Sequence, residues 1–249
     1  MDLLSLSLQS IKRLRGRDLS MIFQDPFTAL NPVFSVGKQV VEALRLHQKI
    51  SFNEAHGEAI ELFEKVGLTD AKGCFKRYPH ELSGGMRQRI MIAMAMICRP
   101  KVLIADEPTT ALDVTVQAQI IALLHNLKEE FNVSILLITH DMGVVAELAD
   151  EVAVMYAGQI VESAGVYQLF ASPSHPYTQA LLTSVPRLNS KKAVEPIPGS
   201  QPQLTEKITG CAFYQRCKFV ESKCLKSPAL KEINYGHLVR CFYAEQREA

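Results

Sequence analysis

The sequence has 249 residues, 47% of them hydrophobic, and a formal net charge of +1. This is ample apolar material for a packed core, and the balanced charge gives no reason to expect nucleic acid as a partner. No run approaches the roughly 18 uninterrupted apolar residues of a membrane span, and no basic residue precedes Lys12, as one would in a signal peptide. These properties predict a cytosolic chain, either one large domain or a domain with an appendage, whose membrane role is peripheral.

The first regular element is a short apolar run at residues 18–23, DLSMIF, which predicts a buried strand. Gln24 follows directly, where a polar side chain can line a ligand site, although alone it is better explained as a strand end that meets solvent. Helical spacing between residues 35 and 75 predicts a helical subdomain. Its predicted apolar faces are Val36, Val40, Val41, Leu44 and Leu46, and then Ala59, Leu62, Phe63 and Val66.

Residues 82–113, LSGGMRQRIMIAMAMICRPKVLIADEPTTALD, contain the features around which the other motifs are arranged. Ser83, Gly84 and Gly85 begin a helix-length segment. Glycines let backbone N–H groups approach a ligand, and the positive end of a helix dipole favours a phosphate. Taken alone, the same residues also suit an ordinary helix cap.

The apolar run at residues 102–105 predicts a central parallel strand that is apolar on both faces. Asp106 and Glu107 follow at its carboxyl end, where open α/β sheets bind ligands. Adjacent carboxylates can divide the work of holding Mg²⁺ and polarising a water. This interpretation is favoured over an exposed acidic turn, because a buried strand and Pro108 flank the pair.

The next elements are an amphipathic helix at residues 115–131 and a buried strand at residues 133–138, which ends at Thr139, His140 and Asp141. Asp141 suits a helix N-cap. His140 is expected at the same rim of the sheet as Asp106 and Glu107. A lone histidine at a strand end is usually structural, but three polar groups on one rim form the pattern of a site.

The C-terminal part begins with a predicted hairpin at residues 151–161, with its turn at Ala157-Gly158. A short helix to about residue 170 and a proline-rich linker at residues 172–202 follow, with a helix at 177–184. Disulfides are not expected in a cytosolic chain, and Cys74 and Cys98 are isolated enough to be core residues. The remaining cysteines are Cys211, Cys217, Cys224 and Cys241.

The spacing of these four cysteines, C-x₅-C-x₆-C-x₁₆-C, lacks the tight C-x₂₋₄-C pairs of most four-cysteine zinc sites. An iron–sulfur cluster with four cysteine ligands tolerates wider spacing. Spacing alone leaves a cluster, zinc and four unliganded buried thiols as alternatives.

Four motifs resemble those of ABC transporter nucleotide-binding subunits, in order and in spacing: LSGGM at 82–86, VLIADEP at 102–108, ALD at 111–113 and ITHD at 138–141. The segments MIFQDPFTALNP at 21–32 and SHPYTQALLTSVP at 174–186, Met86 in place of the commoner glutamine, and the cysteine tail resemble the oligopeptide/dipeptide/nickel importers. The resemblance implies an α/β, P-loop NTPase-like ABC nucleotide-binding domain, incomplete at the N-terminus, with a helical subdomain and a small C-terminal cysteine-bearing extension. The implied boundaries are residues 1–170 for the partial domain, with its helical subdomain at about 35–100, and 171–249 for the extension.

The resemblance also implies roles for individual residues. Asp106 would hold Mg²⁺ through water, Glu107 would be the catalytic base, and Gln24 would sense Mg²⁺ and the γ-phosphate. His140 would be the catalytic switch histidine on the γ-phosphate. The residues implied to contact the ATP of an opposite subunit are Ser83, Gly84, Gly85, Gln88 and Asp113. The four-cysteine tail is implied to bind a [4Fe–4S] cluster of structural role, which places the cluster ahead of zinc and of buried thiols.

One motif of the resembled family is absent from these residues, namely the phosphate-binding loop G-x-x-x-x-G-K-[ST] expected before Gln24. The Gly37-Lys38 pair comes after Gln24 and lacks the leading glycine. That loop supplies preorganised donors to the β- and γ-phosphates, and losing such donors costs orders of magnitude in rate. We therefore expect an N-terminally incomplete chain with unpaired strand edges that is inactive alone, while its signature residues still complete a partner's site.

The implied function is that of an ATP-binding and ATP-hydrolysing subunit that energises import of peptides, nickel or similar small solutes at the cytoplasmic face of the bacterial inner membrane. Its implied partners are a second ABC ATP-binding subunit, two integral membrane permease subunits docked on the helical subdomain and, indirectly, an extracytoplasmic substrate-binding protein. One alternative is a degenerate, non-catalytic subunit that completes the site of an intact partner. Another is a soluble ABC ATPase of DNA repair or translation, which the Gln24 segment and the cysteine tail disfavour.

Overall fold

The computed structural model describes residues 2–110, 112–184, 196–202 and 208–247. They form two compact units, residues 1–140 and 141–249. None of the helices in these ranges is long and apolar enough to cross a membrane. The helices of the first unit are α1 (Leu8–Leu14), α2 (Pro26–Ala29), α3 (Val36–His47), α4 (Phe52–Lys65), α5 (Ala71–Lys76), α6 (Gly84–Met96) and α7 (Val114–Phe131). Its strands are β1 (Leu19–Ile22), β2 (Val102–Asp106) and β3 (Ser134–Ile138).

The first unit is built on a parallel sheet with the order β1-β2-β3. Leu19 pairs with Val102, and Val102 pairs with Ser134, so the three strands begin and end level. The prediction that β2 is a central parallel strand is confirmed. Because all three strands end at the same edge, the residues that follow them come together there.

The two faces of this sheet differ in burial. Leu103 and Ala105 of β2 are fully buried, as is Ile22 of β1, whereas Leu136 and Ile138 of β3 are 55% and 46% exposed. The prediction of a buried strand at residues 133–138 is therefore wrong, because the described residues cover only one face of β3. In the described residues β1 and β3 pair only with β2.

The helical subdomain has the predicted amphipathic packing with one exception. Val36, Val40 and Leu44 of α3 are fully buried, but Leu46 is 73% exposed. Placing Leu46 on the buried face was wrong, since residues two apart on a helix do not share a face. Gly37 lies within α3, where an added Cβ would approach the ring of Phe75 to 2.2 Å. The Gly37-Lys38 pair is thus part of a packed helix and not a loop around phosphate.

The second unit contains the helices α8 (Met142–Leu148), α9 (Val166–Ala171), α10 (Pro176–Thr183) and α11 (Phe242–Arg247). Its strands are β4 (Glu151–Tyr156), β5 (Gln159–Gly165), β6 (Lys231–Asn234) and β7 (His237–Val239), in the antiparallel order β4-β5-β7-β6. The hairpin turn is confirmed, since Ala157 and Gly158 have φ of +48° and +76°. Asp141 caps α8 as predicted. Residues 185–195 and 203–207 of the predicted linker and tail lie outside the described residues.

Candidate functional site

Glu107 is the centre of a cluster of polar side chains at the carboxyl edge of the parallel sheet. Gln24 donates through Nε2 to Glu107 Oε2 at 2.6 Å, and His140 Nδ1 lies 3.1 Å from Oε1. Thr110 donates its hydroxyl to Oε2 at 2.9 Å. The structure therefore brings together Gln24, Glu107 and His140, each of which follows a different strand.

The backbone of Glu107 has the left-handed φ of +44°, which is uncommon for a residue other than glycine. The Glu107 N–H donates to the Ile138 carbonyl at 2.8 Å, and the Thr110 N–H donates to the Glu107 carbonyl at 3.1 Å. These bonds hold the residue in a conformation of the kind that clusters at functional sites. The side chain is 24% exposed.

The hydrogen bond from Thr110 lowers the pKa of Glu107 most, and those from His140 and Gln24 lower it further. A general base works best when its pKa lies near the working pH. Because the pKa of Glu107 is lowered instead, its carboxylate stays ionised. It is therefore better suited to orienting and polarising a water than to accepting the proton of that water. Sequence reasoning missed Thr110. A hydroxyl residue three positions after Glu107, in a turn that follows a strand, is the signal that could have found it.

Asp106 is the last residue of β2 and is half-buried. Its carboxylate has no hydrogen bond to the described residues, and the Gln24 amide uses its nitrogen on Glu107, which leaves an amide oxygen available. Mg²⁺ prefers oxygen ligands and keeps several waters beside one or two carboxylates. These residues therefore fit Mg²⁺ held mainly by water and phosphate. No cage of three or more His, Cys, Asp or Glu ligands exists within the described ranges.

The Ser-Gly-Gly turn begins α6 as an exposed N-terminus. Ser83 is the N-cap, and its Oγ accepts the N–H of the third residue beyond it at 3.3 Å. An added Cβ at Gly84 would meet nothing within 4 Å, whereas one at Gly85 would lie 3.0 Å from Val116. Asp113 is exposed and caps α7 by accepting the Val116 N–H at 3.0 Å. Gly84 therefore leaves the approach to the helix N-terminus open, while Gly85 allows α6 and α7 to pack closely.

Gln88 lies beneath the acidic loop and not at this exposed turn. Its side chain is 2% exposed and donates through Nε2 to the Pro108 carbonyl at 2.6 Å. In this conformation the amide supports the loop that carries Glu107. The predicted contact between Gln88 and ATP stays a prediction.

A group of apolar side chains near Gln24 is exposed. The Gln24 patch consists of Phe23, Phe27, Val33 and Phe34, each about half exposed or more. The buried Gln39 shapes its turn by bonding the backbone N–H and carbonyl of Asn31 and the carbonyl of Phe34. Such patches mark interaction surfaces when they are contiguous.

The four C-terminal cysteines line one small cavity in the second unit, together with His175 and Pro176. The cysteine cavity, as we call it, has a volume of about 10 Å³, roughly the space of one water. All four thiols are free. Burial raises the pKa of Cys217 to about 11 and also raises the pKa of Cys211 and of Cys241. The thiols of Cys211, Cys217 and Cys241 are therefore protonated at neutral pH.

The four cysteines of the cysteine cavity are the right kind of ligand for an iron–sulfur cluster, but a cavity of about 10 Å³ has no room for one. Four cysteines are the ligand set of such clusters, and metal binding would displace the thiol protons. No three donor groups in the described ranges are close enough to hold a metal ion.

Comparison with known proteins identifies the family. Residues 4–110 match the ABC transporter family, and residues 161–224 match the family described as oligopeptide/dipeptide transporter, C-terminal region. The chain is 50% identical over 250 residues to the oligopeptide transport ATP-binding protein AppD of Bacillus subtilis, covering 100% of this chain and 76% of AppD. The chain belongs to the ABC transporter family.

Other ABC relatives agree with this assignment. The oligopeptide transport ATP-binding protein OppD of Salmonella typhimurium is 50% identical over 242 residues, covering 97% of this chain and 72% of OppD. Among solved structures, the dimeric ATP-binding cassette MJ0796, in a post-hydrolysis state with ADP and Pi, has a TM-score of 0.58 and 26% identity, covering 65% of this chain and 68% of that one. The predicted family is confirmed, and so is the ABC nucleotide-binding fold.

Proposed function

We propose that this ABC chain is the ATP-binding subunit of an importer of peptides, or of nickel or similar small solutes, at the cytoplasmic face of the bacterial inner membrane. The observation that carries the proposal is the convergence of Gln24, Glu107 and His140 at the sheet edge that ends in Asp106. The ABC family implies ATP and Mg²⁺, and the relatives above are named for oligopeptide transport.

The residues of this edge divide the work of ATP hydrolysis. Asp106 and the Gln24 amide oxygen would hold hydrated Mg²⁺, which supplies charge neutralisation at the phosphates. Glu107 orients and polarises the attacking water, and Thr110 fixes its carboxylate in place. His140, exposed next to Glu107, is available to the γ-phosphate.

The Ser-Gly-Gly turn at the start of α6, called the signature turn from here on, acts on the ATP of a second ABC subunit. Ser83, Gly84 and Gly85 present an open helix N-terminus, which favours phosphate. Asp113 acts at the same interface. Gln88 acts there through the loop that carries Glu107, which it supports. Because this turn is proposed to contact ATP held by another subunit, we propose that the chain works in a pair with a second ABC subunit.

The helical subdomain, together with the Gln24 patch that precedes it in the chain, would dock two integral membrane permease subunits, which in turn receive solute from an extracytoplasmic binding protein. Phe23 of this patch is exposed and comes directly before Gln24, which contacts Glu107. The docking surface and the catalytic edge are therefore one residue apart in the chain. Residues 1–170 would form the nucleotide-binding domain and residues 171–249 the extension.

The cysteine cavity would take a [4Fe–4S] cluster with a structural role. The support is that Cys211, Cys217, Cys224 and Cys241 line one cavity despite their wide spacing in the sequence. Anaerobic purification followed by absorbance at about 400 nm, with iron and sulfide analysis, tests for a cluster of this type. Protein that holds neither iron nor sulfide after anaerobic reconstitution would contradict it.

The transporter assignment is tested by purifying the tagged 249-residue chain from detergent-solubilised membranes of its source bacterium. We expect two polytopic membrane proteins and a second ABC subunit. A chain recovered without membrane proteins, yet turning over ATP alone, would contradict the proposal.

A further inference from the structure

Glu162 is a charged side chain in the interior of the second unit. It lies in β5 and is 0% exposed, although glutamates are almost never fully buried without partners. Its carboxylate oxygens lie against three N–H groups: Ser174 N at 2.7 Å, His175 N at 3.0 Å and His237 Nε2 at 2.8 Å. One buried carboxylate therefore binds two separate segments, the turn before α10 and the start of β7.

Both of these segments lead directly to the cysteine cavity. His175 lines the cavity and donates its backbone N–H to Glu162. On the other side, Glu162 bonds His237 Nε2 in β7, and Cys241, four residues further on, also lines the cavity. Glu162 thus connects two walls of the cavity through one carboxylate.

The remaining wall is held by other contacts. The Cys211 N–H donates to the Cys224 carbonyl at 2.9 Å, which fixes those two cysteines to each other. Phe213 packs its ring against His175, with centroids 6.0 Å apart. The hydrogen bonds that join the His175 wall to the Cys241 wall therefore depend on Glu162.

We propose that Glu162 is a positioning residue of the cysteine cavity, whose carboxylate holds the turn before α10 and β7 at the spacing that keeps the four thiols around one cavity. Glu162 thereby prepares the cavity for a thiolate-ligated metal cluster. The inference rests on the proposed cluster only for its iron readout, because the arrangement of the thiols is observable without metal.

The test compares the full chain with three variants. Glu162→Gln keeps the size of the side chain but places an amide NH₂ where an N–H donor points, so at least one of the three donors loses its acceptor. Glu232→Gln is the matched control, because Glu232 is an exposed carboxylate of the same unit that accepts the Gly236 N–H at 2.8 Å. Val144→Ala shortens a buried side chain of α8 in the same unit that does not line the cavity, and so reports general loosening.

The first readout is thiol reactivity in metal-free, reduced protein. Each variant is treated with a disulfide reagent at the same interval below its own melting temperature, and the labelled cysteines are assigned by peptide mass spectrometry. We expect the four cavity cysteines to react about tenfold faster in Glu162→Gln, as for one lost buried hydrogen bond, and at the wild-type rate in Glu232→Gln. Wild-type reactivity in Glu162→Gln, or an equal increase in Val144→Ala, would overturn the proposal.

The second readout is iron and sulfide content after anaerobic reconstitution. Glu162→Gln is expected to retain less than about half of the wild-type iron, because one lost wall contact weakens a site whose ligands need outer support. Full iron retention in Glu162→Gln would overturn the role of Glu162. If wild-type protein takes up no iron, the cluster proposal fails, and the thiol comparison still decides the role of Glu162.

Discussion

Replacing Gln88 by methionine should loosen the loop that carries Glu107. The Gln88 side chain is 2% exposed and donates to the Pro108 carbonyl at 2.6 Å. Methionine fills similar space without a donor, so the packing is kept and the hydrogen bond is lost. A buried carbonyl that loses such a partner costs about 1–3 kcal/mol, and this cost falls on the loop because Pro108 follows Glu107 directly.

Hydrogen exchange measures this loosening at defined amides. The Glu107 N–H bonds the Ile138 carbonyl and the Thr110 N–H bonds the Glu107 carbonyl, at 2.8 and 3.1 Å. A change of about 1.4 kcal/mol in opening free energy is a factor of ten, so we expect exchange in the 107–110 peptide to accelerate by about tenfold in Gln88→Met. The control is Gln119→Met, which alters an exposed amide that accepts from Arg89 at 2.9 Å. Unchanged exchange at residues 107–110 in Gln88→Met would refute the role of Gln88 as a support of this loop.

Three further predictions concern single contacts. Thr110→Val should raise the pKa of Glu107 towards its usual value, because the hydrogen bond from the Thr110 hydroxyl is the largest cause of the lowered pKa. NMR titration of the Glu107 carboxyl measures this pKa. The control Thr110→Ser, which keeps the hydroxyl, should retain the low pKa. Ser51→Ala should destabilise the first unit by about 1 kcal/mol in urea unfolding, because Ser51 and Glu54 form a capping box on α4; an unchanged midpoint would contradict it. Burial lowers the pKa of His175 to about 4 from 6.5. Between these two pH values the unfolded chain binds more protons than the folded chain. The free energy of unfolding of the metal-free protein should therefore fall by up to about 3 kcal/mol as pH falls through that window. His175→Asn, which keeps an N-cap acceptor for α10, should lose that dependence, and an unaltered pH profile of unfolding would refute it.

The features that the sequence predicted correctly depend on local chemistry. The strand before Gln24, the central strand before Asp106 and the turn at Ala157-Gly158 follow from short apolar runs and turn residues. The grouping of His140 with Glu107 follows from parallel strands that end at one edge. Gln24 alone was better explained as a strand end that meets solvent; the side chain is exposed, and its contact with Glu107 places it at the site as well.

The features that the sequence did not predict depend on which elements pack over a residue, or on hydrogen-bond partners far away in the sequence. Leu46 and the open face at Leu136 are apolar in sequence, and periodicity alone does not show whether another element packs on them. Glu162 is followed by serine in β5, and its partners Ser174 and His237 are 12 and 75 residues away. No local pattern predicts such a buried carboxylate.

The central claim, that the signature turn of this chain serves a partner's ATP site, is tested most directly by ATP turnover of the purified transporter containing the 249-residue chain. Gly84→Asp places a charge at the open start of α6, where an added Cβ meets nothing within 4 Å, so it should block phosphate without disturbing the fold. We expect Gly84→Asp to lower turnover by about a hundredfold or more, as for a lost preorganised phosphate contact. Glu107→Gln in the same chain should also lower turnover, because it removes the carboxylate proposed to orient and polarise the attacking water. Loss of turnover in Glu107→Gln with normal turnover in Gly84→Asp would contradict the account.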